Sequence, residues 1–199
     1  MDLPALARDL NVGRVVAKDE SSRLGLPAFK ALGASWAIER ILRTHAETSG
    51  TTTIVTATDG NHGRAVAHFA RHFGHRSLIF IPDGVHPSAV QAIQDEGADV
   101  REVGGSYDDA VSAAASAATA PGHVLVQDTA WEGYEQIPGW IVDGYATLFA
   151  EADEQLTALT AGSAIVDLVL VPTGVGSLLQ AALTHYRSAG DARVVSVEP

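Results

Sequence analysis

One lysine occupies a position that favours amine chemistry. The chain has two lysines, and Lys30 lies in the apolar stretch Gly25–Gly33, which offers no obvious partner for a cation. Burial disfavours the charged form of an amine, and a neutral amine is the form that condenses with a carbonyl to give a Schiff base. The alternative is a lysine at a helix start whose ammonium group extends to solvent. The chemical interpretation therefore depends on which other polar residues the fold brings to Lys30.

A second group of polar side chains lies in the segment Thr58–Gly63. It carries an acid at Asp59, an amide at Asn61 and an imidazole at His62. An amide can donate a hydrogen bond to a phenolate oxygen, and a partly desolvated carboxylate can act as a general base. Because Asp-Gly and Asn-His-Gly also favour turns for backbone reasons alone, a turn without chemistry is the alternative.

A further acid, Asp128, lies in the segment Gln127–Tyr134. Two carboxylates that face one cleft form a recognition and proton-transfer pair for a cationic substrate. Taken alone, Asp128 is interpreted as a loop or capping residue, and Trp131 and Tyr134 as packing residues. Asp128 gains a chemical role only if the fold places it beside Asp59.

The fourth candidate is a glycine-containing turn, Gly174-Val175-Gly176-Ser177, which follows an apolar run. Backbone amides at such a turn and at the next helix N-terminus converge on a phosphate without a basic side chain. The turn lacks the Walker lysine and the Gly-x-Gly-x-x-Gly spacing, which argues against a nucleotide. The open alternative is a tight connection between a strand and a helix.

The elements that must position these residues alternate between β-rich and alanine-rich stretches, which is typical of βαβ units and predicts an α/β fold with a parallel sheet. In such folds ligands bind where strands end. The predicted strands cover residues 12–18, 52–58, 77–81, 99–103, 124–127, 165–171 (buried) and 194–197. The predicted helices cover residues 31–45, 64–73, 87–97, a stretch ending near 119 after an N-cap at Ser106, 140–160 and 179–188. With the last strand uncovered, one sheet face is expected to be exposed.

Composition excludes several function classes. The net charge is −11 with no basic run, which argues against nucleic acid or an anionic membrane as a partner. The absence of cysteine excludes disulfides, thiolate metal sites and a cysteine nucleophile. His68, His72 and His75 have helical spacing but no acidic or cysteine neighbour, so no metal site is predicted. Without a leader or a membrane-length apolar run, we expect a cytoplasmic protein that binds a small metabolite.

Three segments, residues 18–33, 57–64 and 127–134, together resemble the fold type II pyridoxal-phosphate enzymes, and within them the diaminopropionate ammonia-lyase family. The related serine and threonine dehydratases, threonine synthases and tryptophan synthase β chains usually carry serine where this chain has Asp59. They also lack the run Asp128-Thr-Ala-Trp-Glu-Gly-Tyr134. The resemblance extends over nearly the whole chain.

The resemblance implies a role for each candidate residue. Lys30 would hold pyridoxal 5′-phosphate as a Schiff base, Asn61 would contact the ring hydroxyl, and the loop Gly174–Ser177 would cradle the phosphate. Asp59 and Asp128 would form the acidic pair at the substrate. The family cleaves both enantiomers of 2,3-diaminopropionate to pyruvate and ammonia, with Lys30 and Asp59 as bases on opposite faces of the substrate, and a homodimer is expected.

The resemblance also implies three-layer, parallel-sheet domains. Residues 1–44 would begin the large cofactor domain, 45–138 would form the small α/β domain, and 139–199 would continue the large domain. That domain is expected to be incomplete at its C-terminus, without the ligand of the pyridine nitrogen. Two alternatives stay open: a serine or threonine dehydratase-like lyase, which Asp59 disfavours, and a catalytically inactive truncated fragment.

Overall fold

The computed structural model describes residues 1–44, 50–162, 165–190 and 192–198. These residues form short helix α1 and six further helices that alternate with parallel strands, so the predicted α/β fold is confirmed. The helices are α1 Pro4–Asp9, α2 Lys30–Thr44, α3 Asn61–His72, α4 Pro87–Asp95, α5 Tyr107–Ala117, α6 Gln136–Leu159 and α7 Ser177–Ala189. The strands are β1 Thr53–Ala57, β2 Arg76–Ile81, β3 Asp99–Glu102, β4 His123–Leu125, β5 Leu168–Pro172 and β6 Arg193–Val197.

The strands form two parallel sheets, one with the order β3-β2-β1-β4 and one in which β5 pairs with β6. Strand β1 is central and buried along its whole length, as expected for a β-branched sequence covered on both faces. It pairs with β2 through Val55 and Leu78 and with β4 through Val55 and Leu125. This pairing brings the carboxyl ends of β1 and β4 to the same edge of the sheet.

Two strand predictions were wrong. Residues 12–18 form no strand, since only Val16 makes a bridge, to Asp2. Val12 and Val16 are both exposed, so no buried apolar face holds this segment in a sheet. The run 165–171 is not a buried strand, because in β5 Leu168 and Leu170 are 52% and 61% exposed. Strand β5 has only β6 as its sheet neighbour in the described chain, which agrees with the expected exposed face.

The predicted N-cap of helix α5 was confirmed. Ser106 caps α5 in a capping box with Asp109, as the sequence predicted. Helix α2 is described as far as Thr44, and the predicted last residue, His45, lies outside the described residues.

Helices α2 and α6 cross at a contact that only glycine permits. A Cβ atom on Gly144 would lie 2.6 Å from the carbonyl oxygen of Leu32, and one on Gly33 would lie 2.6 Å from Cε1 of Tyr145. Real Cβ contacts are longer, so Gly144 allows the two helix backbones to approach closely, and Gly33 leaves room for the Tyr145 ring. Because α2 begins at Lys30, this crossing fixes the position of the lysine.

The domain division remains a prediction. The four-stranded sheet falls within residues 45–138, and β5 and β6 fall within residues 139–199. One hydrophobic core nevertheless includes residues from all three predicted parts, among them Ile38, Ile79 and Ile141. None of the described helices has the length and apolar character needed to cross a bilayer.

Candidate cofactor and substrate site

A cavity of about 570 Å³ opens where β1, β4 and β5 end. Its wall combines the start of α2, the turn after β1, the loop after β4 and the turn between β5 and α7. The candidate residues chosen from the sequence all line it: Lys30, Asp59, Asn61, Asp128, Gly174, Val175, Gly176 and Ser177. The fold therefore brings together segments that are far apart in the chain, while the role of each residue stays a prediction.

The amine of Lys30 forms an ion pair with the carboxylate of Asp128, and Nζ lies 2.5 Å from Oδ2. The Lys30 side chain is 18% exposed and that of Asp128 only 4%. The expectation of an amine without an anionic partner was wrong, because the partner lies 98 residues away in the sequence.

Asp128 is held as a buried carboxylate. Burial opposes its ionisation, but the positive charge of the neighbouring Lys30 side chain and the hydrogen bond that it donates outweigh that effect. The pKa of Asp128 consequently lies below its ordinary value. The Lys30 contact supplies the main compensation, because burial also lowers the pKa of His62 and keeps that imidazole neutral near pH 7.

The turn after β1 is built around the buried hydroxyl of Thr58. Its Oγ1 accepts hydrogen bonds from the backbone N–H groups of Gly60, at 2.9 Å, and Gly63, at 3.0 Å. These bonds satisfy amide groups at the start of α3 that have no partner within the helix. Asp59 and Asn61 are left exposed on the cavity wall, where their side chains can meet a ligand.

The turn between β5 and α7 presents backbone rather than charged side chains. Gly176, the residue before α7, has a φ of +92°, a left-handed conformation that favours glycine. A Cβ atom at Gly174 or Gly176 would meet nothing within 4 Å, so the peptide groups there are open to a ligand. With the N-terminus of α7 behind it, this turn suits an anion.

Sequence reasoning did not assign roles to Tyr107, which lines the cavity, or to the buried Gln127, which contacts it. The buried Gln127 side chain accepts hydrogen bonds from Thr56 and Ala57 and donates one to the Tyr107 hydroxyl at 2.9 Å. Burial and the nearby Asp128 carboxylate raise the pKa of Tyr107 to about 12, so its phenol keeps its proton. The available signal was that Tyr107 also follows a predicted strand end.

The residues after Asp128 do pack, as expected. The rings of Trp131 and Tyr134 stack with their centroids 4.4 Å apart. The Tyr134 hydroxyl accepts a hydrogen bond from the Gln127 backbone and donates one to the Leu125 carbonyl. These contacts hold the loop that carries Asp128.

The donor set of the cavity fits the cofactor that the resemblance implies. Pyridoxal 5′-phosphate offers an aldehyde, a phosphate and a ring hydroxyl. The cavity has one lysine amine, an open glycine turn at a helix N-terminus and an exposed amide at Asn61. Lys30 is the one Lys or Arg among the residues that line it, so the anion site would rely on backbone amides.

The chain is similar in sequence and in structure to known proteins. The chain is 39% identical to diaminopropionate ammonia-lyase of Escherichia coli over 190 residues, which cover 88% of this chain and 47% of that protein. It is 36% identical to the Salmonella typhimurium enzyme of the same name over 203 residues, covering 93% and 50%. A crystal structure of the E. coli enzyme in complex with an aminoacrylate-PLP azomethine reaction intermediate matches all of this chain and 54% of that one, with 37% identity and a TM-score of 0.91.

The chain thus spans about half the length of the curated relatives that it matches. The resemblance to diaminopropionate ammonia-lyases is confirmed by these similarities. The sequence model of a family described as pyridoxal-phosphate dependent enzyme matches residues 1–199, the full length printed here. Together with the lysine-bearing cavity, this match shows that the chain belongs to the family of pyridoxal-phosphate dependent enzymes.

Proposed function

We propose that this chain forms the lysine-bearing part of a diaminopropionate ammonia-lyase, which converts 2,3-diaminopropionate and water to pyruvate and two molecules of ammonia. The observation that carries the proposal is the convergence of the Lys30 amine with two carboxylates, Asp59 and Asp128, in one cavity. The similarity to the E. coli and Salmonella enzymes supports the same substrate.

The residues of this chain would divide the binding of the cofactor. The Lys30 amine would hold it covalently, the backbone amides of Gly174–Ser177 would hold the phosphate, and the Asn61 amide would donate to the ring hydroxyl. When bound, pyridoxal phosphate supplies an electron sink that stabilises negative charge at the substrate Cα. The open glycine turn and the exposed Asn61 amide support this arrangement.

The two carboxylates would select a diamino acid. A substrate with two ammonium groups gains attraction from both Asp59 and Asp128, whereas serine or threonine presents only one cation. The Lys30 amine and the Asp59 carboxylate would each take the Cα proton from one enantiomer. Asp128 would keep the Lys30 amine oriented, which the 2.5 Å contact supports.

The assembly and location are part of the same proposal. We expect a homodimer located in the cytoplasm, on the strength of the resemblance and the acidic, cysteine-free composition. Analytical ultracentrifugation of the protein would test the dimer directly.

A substrate panel tests the proposed activity. The protein, supplied with pyridoxal phosphate, is assayed with D- and L-2,3-diaminopropionate, serine and threonine, and pyruvate, oxobutyrate and ammonia are all measured. We expect two ammonia molecules per pyruvate from diaminopropionate and at least tenfold lower turnover of the hydroxy amino acids. Lys30→Ala should abolish turnover, and Lys18→Ala should retain it.

Other results of the same substrate panel would identify one of the two alternative functions. Faster release of oxobutyrate from threonine, or of one ammonia per pyruvate from serine, would identify a dehydratase-like lyase. Absence of both product and the visible absorbance of lysine-bound cofactor would identify an inactive fragment.

A further inference from the structure

The side chain of His62 is buried beside the acidic pair without a role in the proposed chemistry. It lies in the first turn of α3, is 4% exposed and lines the cavity. Its Nε2 atom lies 2.8 Å from the carbonyl oxygen of Val126. Because a carbonyl oxygen only accepts hydrogen bonds, Nε2 must carry the proton. In a neutral imidazole Nδ1 then presents a lone pair.

That lone pair has no hydrogen-bond partner among the described residues. The nearest acidic atom is Oδ2 of Asp128, which lies 3.7 Å from Nδ1, too far for a hydrogen bond. A buried acceptor without a donor is unfavourable and rare in native proteins. The geometry therefore indicates a donor that reaches Nδ1 in another state of the site.

The Asp128 carboxyl group is the donor that the geometry offers. Its Oδ2 atom faces both the Lys30 ammonium, at 2.5 Å, and His62 Nδ1, at 3.7 Å. While the ammonium is present, the carboxylate stays ionised and has no proton to give. The one further charged group that acts on His62 from the cavity wall is Asp59, which lies after β1.

We propose that His62 is the proton partner of Asp128, and that the two side chains share one proton whenever no ammonium, of Lys30 or of the substrate, faces Oδ2. A Schiff base has no NH3⁺ group, so a covalently held amine no longer donates to Oδ2 as an ammonium. A proton from solvent then binds Oδ2, the two side chains approach from 3.7 Å, and the new O–H donates to the lone pair on Nδ1, while Nε2–H keeps its bond to Val126. His62 is thus a positioning residue that sets the protonation of Asp128. The inference rests on the proposed attachment of the cofactor at Lys30.

Substitution of Lys30 tests the shared proton between His62 and Asp128 without the cofactor. Lys30→Met removes the ammonium, and Lys30→Arg keeps a cation as the matched control. Ring-¹⁵N-labelled histidine and ¹³Cγ-labelled aspartate are followed by NMR at neutral pH. We expect the Lys30→Met protein to shift the His62 Nδ1 resonance towards that of a hydrogen-bonded acceptor and the Asp128 resonance towards that of a protonated carboxyl. The Lys30→Arg protein should resemble the wild type in both the His62 and the Asp128 resonance.

Loading the wild-type protein with pyridoxal phosphate is a second measurement, which does not depend on the folding of the variant. It should move the Nδ1 resonance in the same direction, and Asp128→Asn should abolish that movement because an amide does not titrate. The proposal is overturned if Nδ1 rather than Nε2 carries the proton, or if the Lys30→Met spectra match those of the wild type. A failure of the proposed function would show separately, as a protein without the absorbance of lysine-bound cofactor.

Discussion

The Nζ atom of Lys30 and the Oδ2 atom of Asp128 lie 2.5 Å apart at the base of the cavity. This contact joins the start of α2 to the loop after β4, and it holds the amine where a ligand in the cavity can reach it. The position of the Lys30 amine thus depends on a buried carboxylate from a distant part of the sequence.

Loss of this pair should destabilise the protein in a pH-dependent way. The pKa of Asp128 lies below its ordinary value, so its carboxylate stabilises the fold above the unfolded pKa of about 3.9 and loses that effect as the pH falls through the folded pKa. We expect Asp128→Asn to lower the free energy of unfolding by about 2–3 kcal/mol at pH 7. Urea unfolding between pH 7 and pH 3 should show the gap to the wild type narrowing on acidification. A constant gap would contradict the ionised pair.

The crossing of α2 and α6 offers a matched pair of glycine substitutions. A Cβ atom on Gly144 would lie 2.6 Å from the Leu32 carbonyl oxygen, whereas one on Gly139 in the same helix meets nothing within 4 Å. We expect Gly144→Ala to cost about 1–3 kcal/mol through overpacking. Gly139→Ala should be neutral or stabilise by up to about 1 kcal/mol. Thermal unfolding checks both, and equal melting temperatures would refute the close crossing.

The stability of the turn that carries Asp59 and Asn61 should depend on the Oγ1 atom of Thr58. Thr58→Val removes the acceptor for the amides of Gly60 and Gly63 and should destabilise the protein by about 1–2 kcal/mol. Thr58→Ser keeps the oxygen and should lose less stability, although it opens a small cavity. The two variants are compared by urea unfolding and by cofactor affinity. If serine proves as damaging as valine, the methyl group rather than the hydroxyl supports the turn.

The cluster of Glu96, Arg71 and His68 does not line the cavity, so a substitution there should change stability without changing cofactor binding. Glu96 accepts one hydrogen bond from Arg71 at 2.7 Å and pairs with His68 at 3.0 Å. Burial opposes its ionisation, but these partners lower its pKa below the ordinary value, so its contribution is present at neutral pH and is lost on acidification. Glu96→Gln should cost about 1–2 kcal/mol at pH 7 and leave cofactor affinity unchanged. Cofactor titration and urea unfolding of the same sample measure both effects.

The sequence predicted residues that the structure brings to one cavity, because most of them follow strand ends. Asp59, Asn61, Asp128 and the glycine turn each come after a predicted strand, and parallel strands bring their carboxyl ends to one edge. The period of the apolar residues also located the six longer helices to within a few residues. The ends of strands and the bounds of helices depend on local sequence, so they could be predicted from it.

Features that depend on distant contacts were not predictable. The pairing of Lys30 with Asp128 spans 98 residues, and no property of the segment around the lysine indicates it. The buried His62 ring contacts the carbonyl oxygen of Val126, which lies directly after the neighbouring strand β4. The exposed face of β5 likewise reflects the number of neighbouring strands, which composition does not encode.

Chemical trapping of the cofactor tests the central claim most directly. The chain has two lysines, and Lys18 provides an internal control because its Nζ atom lies 2.8 Å from Glu151 in an ion pair outside the cavity. The protein is incubated with pyridoxal phosphate, reduced with borohydride, digested and mapped by mass spectrometry. We predict a phosphopyridoxyl group on the peptide that contains Lys30 and none on Lys18 or the N-terminal amine. A label on Lys18 or on Met1, or no label at all, would contradict the assignment of this cavity as the cofactor site.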